Sequence, residues 1–239
     1  MSFKSFRLFG FCLLLTGCAY FSKTTENEIP ASAYPGPDPK MAEKLDAYRD
    51  FLHEMMGQRV AIVEDTLQFE KPEGALSNLV ADALRFQAAA ELRSFVNVGI
   101  IGESSFKLFL VPGELTVGDV YEFMPYDNHL VVLRMSGTRL MKLIEQVAAM
   151  GGAPISGVRF RIDEDGNPNG VLVNAEVLDP EREYLVATSS WAANGGDPFP
   201  ALWNIPDRTD LDVSIQGVYI QYFRNQVLLT ASTDGRIRR

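Results

Sequence analysis

Apolar residues recur at helical spacing in several stretches of the chain. In the first stretch the intervals are four, three, four and three residues, which predicts an amphipathic helix. Its apolar positions are Met41, Leu45, Tyr48, Leu52 and Met55. The same spacing returns over residues 76–84, 140–148 and 217–225. Thr138 is placed to cap the 140–148 helix, and the pair Gly151-Gly152 to end it.

Short apolar or β-branched runs alternate with these helical stretches. They are residues 60–63, 95–101, 129–135, 158–162, 171–177 and 185–189. Runs of this length bounded by turn residues predict strands. Thr116 with Asp119 three residues later also predicts a capping box that opens a short helix over 117–123. Residues 41–239 are therefore predicted to form one α+β domain, with a mixed β-sheet and flanking helices.

The first 17 residues have the pattern of an export signal. Lys4 and Arg7 precede an apolar run, residues 8–15, that is too short to span a bilayer. The run ends in Leu15-Thr16-Gly17-Cys18, which resembles the lipobox of bacterial lipoproteins, where the cysteine is lipidated. We expect a signal peptide over 1–17 and a lipid anchor at Cys18. An ordinary secretory signal is the alternative, and both predict export.

The residues after Cys18 predict the destination of the chain and a spacer. Ala19, rather than an aspartate, resembles lipoproteins sorted to the outer membrane, so we expect an outer-membrane protein that faces the periplasm. Residues 18–40 hold several polar residues and four prolines with few apolar side chains to bury. Such a segment predicts an extended tether between the membrane and the domain.

Composition narrows the possible functions. With 46% hydrophobic and 22% charged residues the chain has the make-up of a folded globular protein. A net charge of -9 argues against nucleic acid as a partner, because phosphate backbones need a basic surface. Two histidines and two cysteines are too few for a self-contained metal centre. The sequence therefore predicts neither a bound metal nor a cofactor, and it contains no standard catalytic motif.

Two aromatic residues lie on or beside predicted turns. Tyr126 lies in the segment Pro125-Tyr126-Asp127-Asn128, and Trp191 follows a predicted strand and precedes the turn Gly195-Gly196-Asp197. Two aromatic side chains on loops can clamp a flat ring, which predicts a ligand pocket. The alternative is that both side chains only cover the edge of the core.

Four ordered motifs resemble the C-terminal domain of bacterial 5'-nucleotidases. They are EGALSNLVADA (73–83), VNVGII (96–101), LTVGDVYEFMPY (115–126) and ANGGD (193–197). The resemblance covers about residues 59–225. It implies the nucleotide-binding half of a two-domain enzyme whose other half, a metallophosphoesterase domain, performs hydrolysis. That catalytic domain is missing from this sequence, so we expect the chain not to be catalytic alone.

The resemblance implies a substrate-binding role for five residues. Tyr126 and Trp191 match the two aromatic residues that sandwich the base. Asn97 matches the asparagine that opens the family's Asn-x-Gly-Gly-Ile-Arg stretch. Asn194 precedes the Gly-Gly-Asp turn, and Asp197 matches the aspartate of that turn, which contacts the nucleoside.

The sequence departs from the family where phosphate would bind. Gly102 stands in place of the arginine that ends the Asn-x-Gly-Gly-Ile-Arg stretch, and the arginine expected just before Glu73 is replaced within Glu70-Lys71-Pro72. Lys71 offers at most a point charge. We therefore expect a nucleoside to bind about as well as its monophosphate, and Gly102→Arg to restore phosphate affinity if its geometry is accepted.

Two functions from different classes follow from this resemblance. The first is a nucleotide- or nucleoside-recognition subunit that acts with a separately encoded metallophosphoesterase in nucleotide catabolism. The alternative is a degenerate, non-catalytic scaffold or interaction lipoprotein of the cell envelope. A neighbouring gene for a phosphoesterase would favour the first.

Overall fold

A computed structural model describes residues 38–107 and 109–239 of the chain. The predicted signal peptide and Cys18 lie outside the described residues, as does most of the predicted tether. The described part opens with helix α1 (Pro39–Met56), in the place where the apolar spacing predicts it. No residue of α1 is buried in the described structure, and Met41, Leu45, Tyr48 and Met55 of its apolar stripe are exposed. The chain divides into two units within this helix, Met1–Arg49 and Asp50–Arg239.

The second unit continues from α1 with alternating strands and helices. In chain order they are β1 (Arg59–Val63), α2 (Ala75–Leu92), β2 (Val98–Ile100), β3 (Gly113–Thr116), α3 (Val117–Phe123), β4 (His129–Ser136), α4 (Gly137–Ala149), β5 (Ile155–Ser156), β6 (Val158–Ile162), β7 (Pro168–Val173), β8 (Glu176–Val177), β9 (Glu183–Ser189), α5 (Ser190–Ala193), β10 (Arg208–Ser214), α6 (Ile215–Gln226), β11 (Leu228–Leu229) and β12 (Ile237–Arg238). Two short 3-10 turns cover Glu103–Ser105 and Pro200–Leu202.

In the described part of the chain these strands form three sheets. The largest has the order β10-β4-β9-β2-β5, and the others are β11-β1-β3 and β12-β6-β7-β8. In the largest sheet β9 runs antiparallel to β4 and parallel to β2. The predicted α+β fold with mixed pairing and flanking helices is confirmed, although the strands are divided among three sheets. Strands β3, β10, β11 and β12 were not predicted, because they are too short or too polar to show a strand pattern in the sequence.

Strand β4 shows how the five-stranded sheet organises the core. Its side chains point alternately to opposite faces, and both faces are covered. Leu130 and Val132 belong to a cluster that includes residues of α2 and α6. Val131 and Leu133 belong to a second cluster that includes residues of α4. Burial on both faces explains why β4 reads as a continuous apolar run rather than an alternating one.

Capping confirms one predicted helix start and corrects another. The Thr116 hydroxyl accepts a hydrogen bond from the Asp119 amide at 3.2 Å, and the Thr116 amide donates to the Asp119 carboxylate at 2.7 Å, as the capping box predicts. Helix α4, in contrast, is capped by Ser136 and not by Thr138, because the Ser136 hydroxyl accepts from the Arg139 amide. Thr138 instead donates to the Pro180 carbonyl.

An ion pair joins α2 to the segment before β12. The guanidinium of Arg236 contacts both carboxylate oxygens of Asp82, at 2.9 and 3.0 Å. The Arg236 side chain is 11% exposed and that of Asp82 22%. Ser156 also donates to Asp82, and Arg236 donates to the Ile155 carbonyl at 3.2 Å. The pair therefore connects α2, β5 and the C-terminal segment.

We expect Arg236→Met to lower the free energy of unfolding by about 2–4 kcal/mol, because it leaves the largely buried Asp82 carboxylate without its cation. Arg182→Met is the matched control. Its partner Glu176 lies 2.7 Å away, but both side chains are exposed, so the loss should stay below about 1 kcal/mol. Urea unfolding of the three proteins measures both values. Equal losses would contradict a special role for the Asp82 pair.

Candidate functional site

A pocket of about 570 Å³ lies where three short segments of the second unit meet. The segments are the turn after β2, the loop after α3, and α5 together with the turn that follows it. The lining residues are Ser104, Ser105, Tyr126, Asp127, Asn128, Trp191 and Gly196. Tyr126 is 39% exposed and Trp191 52%. The structure thus brings the two predicted aromatic residues to one pocket, whose volume suits a small molecule.

Helix α6 holds the loop that carries Tyr126. The side-chain amide of Gln216 is buried and donates to the carbonyls of Met124 at 3.0 Å and Tyr126 at 2.8 Å. At the start of the same helix, the Ile215 amide donates to the Asn128 carbonyl at 2.8 Å. These bonds fix the backbone on both sides of Asp127. The position of Tyr126 therefore depends on a residue 90 positions later in the sequence.

The Gly-Gly-Asp turn determines where the indole of Trp191 lies. A Cβ atom placed on Gly196 would approach the Trp191 ring to 1.9 Å, so the ring packs directly against the glycine backbone. The Gly196 amide also donates to the Trp191 carbonyl at 2.9 Å. Gly195 has a φ of 98°, a conformation that glycine adopts readily. Position 196 thus has no space for a side chain beside the indole. Position 195 has a backbone conformation that favours glycine.

Asn128 links the two aromatic loops. Its side-chain oxygen accepts a hydrogen bond from the Ser190 hydroxyl at 3.3 Å, and that hydroxyl accepts in turn from the His129 amide at 3.2 Å. The sequence pattern places Asn128 on the turn, but no motif assigns it to the site. Ser104 and Gln216 were also missed, because neither belongs to a recognisable motif. Their roles depend on contacts between distant parts of the chain.

The carboxylate of Asp197 lies buried next to the pocket, with 1% of the residue exposed. One oxygen accepts from the Gly102 amide at 2.9 Å, and the other accepts from the Ser104 hydroxyl at 2.9 Å. Burial raises the pKa of Asp197, and these two hydrogen bonds partly offset that rise. Asp197 therefore ties the Gly-Gly-Asp turn to the turn at Glu103–Ser105. Direct contact of Asp197 with a nucleoside stays a prediction.

Asp197 also occupies the space beside Gly102. The Gly102 backbone, with φ -76° and ψ 142°, is open to any residue. A Cβ atom there would nevertheless lie 2.3 Å from a carboxylate oxygen of Asp197. A side chain at position 102 therefore requires the buried Asp197 carboxylate to shift, so this structure does not meet the geometric condition on which the Gly102→Arg expectation depends.

Lys71 is committed to other partners. Its ammonium lies 2.9 Å from the carboxylate of Glu103 and also donates to the Gly152 carbonyl. Glu103 is the residue that follows Gly102, so the acid and the lysine neutralise each other near the place of the missing arginine. This arrangement leaves Lys71 poorly suited to hold a phosphate.

The structure does not bring Asn97 and Asn194 into the pocket. Asn97 is 7% exposed, and its side-chain oxygen accepts from the Leu185 amide at 2.9 Å, which joins the chain before β2 to β9. Asn194 accepts from Arg208 at 2.6 Å in a separate cleft of about 280 Å³ beside Trp203. Neither side chain lines the aromatic pocket, and the substrate-binding roles of both residues stay predictions.

No group of three or more histidine, cysteine, aspartate or glutamate side chains within 38–107 and 109–239 is arranged to hold a metal ion. Over the same residues, no helix combines the length and apolar character needed to cross a bilayer.

The three sheets and the residues that line the aromatic pocket lie largely within a part of the chain that one family model matches. The family model for the 5'-nucleotidase C-terminal domain matches residues 59–203, which is more than half of the chain. The chain therefore belongs to the 5'-nucleotidase C-terminal domain family. Tyr126, Trp191 and Asp197 all lie within the matched region.

The relatives of this chain are longer proteins, and the chain matches only part of each. The NAD 5'-nucleotidase of Haemophilus influenzae is 26% identical over 194 residues, which cover 70% of this chain and 31% of that protein. The trifunctional nucleotide phosphoesterase YfkN of Bacillus subtilis is 21% identical over 245 residues, covering 93% and 16%. This chain thus spans less than half the length of either relative.

A solved structure supports the same assignment. The 5'-nucleotidase precursor of Thermus thermophilus superposes with a TM-score of 0.69 and 26% sequence identity. The match covers 84% of this chain and 43% of that protein.

The buried carboxylate makes stability depend on pH. Because the pKa of Asp197 is raised in the folded state, the folded protein binds more protons than the unfolded one between the two pKa values. The free energy of unfolding contributed by this group is therefore highest at low pH and falls as the pH rises through that interval. Asp197→Asn, which stays neutral, should lack this fall.

Urea unfolding between about pH 4 and about pH 7 tests this expectation. The stability of the wild type relative to Asp197→Asn should decline across the range. Ser104→Ala removes one of the hydrogen bonds that lower the pKa and should enlarge the decline. A difference between wild type and Asp197→Asn that is independent of pH would contradict the raised pKa.

Proposed function

We propose that this chain is the nucleoside-recognition part of a 5'-nucleotidase system. Hydrolysis is performed by a metallophosphoesterase on a separate polypeptide, and the two act together in nucleotide catabolism. The observation that carries the proposal is the placement of Tyr126 and Trp191 at one pocket of about 570 Å³. Membership of the 5'-nucleotidase C-terminal domain family supports it.

The pocket offers contacts suited to a nucleoside. Stacking of a base on an aromatic side chain contributes about 1–3 kcal/mol and tolerates different bases. Ser104 and Asn128 supply polar groups at the pocket wall for the sugar or the base edge. A flat ring therefore binds between the two aromatic residues, with its orientation set by a few hydrogen bonds.

The surroundings of the pocket give little binding energy to a phosphate. The described lining residues include no arginine or lysine, the space at Gly102 is occupied by Asp197, and Lys71 is paired with Glu103. A nucleoside is thus expected to bind about as tightly as its monophosphate. Without a partner subunit, affinities near the millimolar range follow from the modest stacking contribution set against the cost of association.

Ligand-observed NMR with adenosine and adenosine monophosphate tests the proposal. Both ligands should saturate the wild-type protein with similar affinities, and Trp191→Ala should weaken both by about tenfold, since it removes one stacking face. Phe95→Ala is the matched control, because Phe95 is also exposed but does not line the pocket. Absence of saturation, or equal effects of the two substitutions, would contradict nucleoside recognition.

A second candidate function is a scaffold or interaction lipoprotein of the cell envelope. The observation that favours it is the filling of the Gly102 site by Asp197, which leaves no room for a phosphate-binding side chain. In this case the aromatic pocket is inherited with the family fold and binds no ligand. Failure of the nucleoside titration would support this function over the first.

We further propose that the chain is a lipoprotein of the outer membrane facing the periplasm. The segment Leu15-Thr16-Gly17-Cys18 and the following Ala19 support this localisation. Cys18→Ser should abolish lipidation and release the protein from the membrane fraction, because stable anchoring needs the acyl chains. Cys12→Ser, within the apolar run of the signal, is the control and should remain membrane-bound. Unchanged partitioning of Cys18→Ser would contradict a lipid anchor.

A further inference from the structure

The aromatic pocket carries an acidic group and no basic one. Among the described residues that line it, Asp127 provides a carboxylate, and there is no lysine, arginine or histidine. Asp127 lies directly between the two backbone positions that α6 holds, next to Tyr126. The exposed aromatic faces and this carboxylate therefore border the same space.

Aromatic faces attract positive charge. The ring quadrupole places negative potential above and below the ring plane, so cations bind over tyrosine and tryptophan. Tyr126 already shows this property, because the Lys107 ammonium lies 5.0 Å from the centroid of its ring. Lys107 is exposed and is not among the residues that line the pocket. The pocket side of the aromatic pair remains open to a ligand.

The other charged groups near the pocket do not reverse this preference. The cation of Lys71 is neutralised by Glu103 at 2.9 Å. Asp197, behind the pocket wall, is held by two neutral donors, the Gly102 amide and the Ser104 hydroxyl. Ionised Asp197 therefore adds negative potential near the pocket, and the Lys107 ammonium beside Tyr126 acts against it.

We propose that this pocket selects a positively charged aromatic ring over a neutral one. The ligand class is a nucleoside or nucleotide whose flat ring carries a positive charge, such as an N-glycosylated pyridinium. This inference rests on the proposed function, in which a ring binds between Tyr126 and Trp191. The charged ring gains cation–π attraction in addition to stacking, and Asp127 supplies the counter-charge.

A pair of small probes isolates the effect of charge. 1-Methylnicotinamide, which is methylated on the ring nitrogen, and nicotinamide have nearly the same ring and differ by one positive charge. In ligand-observed NMR the charged ring should bind about threefold to tenfold more tightly. This gain is the size expected from cation–π attraction and from an ionic interaction with the exposed Asp127. Added salt should reduce the preference, because it screens Asp127. Adenosine is titrated in parallel as the neutral nucleoside.

Variants assign the preference to named side chains. Asp127→Asn should weaken 1-methylnicotinamide binding more than nicotinamide binding, so that the ratio of the two affinities approaches one. Lys107→Met should strengthen binding of the charged ring, because it removes a competing cation beside Tyr126. Asp65→Asn is the control, since Asp65 is an exposed acid that does not line the pocket.

The outcomes separate this inference from the proposed function. Equal affinities for the two probes, with adenosine still bound, would overturn charge selection and leave nucleoside recognition standing. Failure of adenosine and of both probes to bind would overturn both. A preference that survives Asp127→Asn would overturn the role of that carboxylate, whereas its loss in that variant alone supports the inference.

Discussion

The buried carboxylate of Asp197 is the constraint on which the site depends. It accepts hydrogen bonds from the Gly102 amide and the Ser104 hydroxyl, and so joins two loops that are far apart in the sequence. The turn that contains Asp197 also presses Gly196 against the indole of Trp191. The Asp197 carboxylate therefore holds one wall of the pocket and fills the space that a side chain at position 102 would need. The turn that contains it also orients the Trp191 ring.

The sheet beneath the pocket explains why the loops converge there. Strands β4 and β9 pair from Leu130 opposite Ser189 to Ser136 opposite Glu183, so the start of β4 lies beside the end of β9. The loop with Tyr126 enters β4, and Trp191 follows β9. Covering both faces of this sheet with apolar clusters makes the frame rigid. The two aromatic residues are thus presented from adjacent strands of a well-packed core.

Electrostatics distinguishes this pocket from one built for a phosphate. The resemblance to 5'-nucleotidases implies arginines that grip the phosphate, yet here glycine, a paired lysine and a buried acid occupy the corresponding region. The aromatic part of the site is present without its cationic part. In the function proposed for this chain, affinity therefore comes from ring stacking and charge preference from Asp127.

Local signals in the sequence determined the secondary structure and part of the site. Apolar spacing identified α2, α4 and α6, the Thr116 and Asp119 pair identified a helix start, and turn-borne aromatics identified Tyr126 and Trp191. These features depend on neighbours along the chain. The assignment of Asn97 and Asn194, the cap of α4 and the effect of filling Gly102 depended instead on which distant atoms lie alongside. Only the tertiary structure decided them, because hydrogen-bond partners and free space are properties of packing and leave no periodic trace in the sequence.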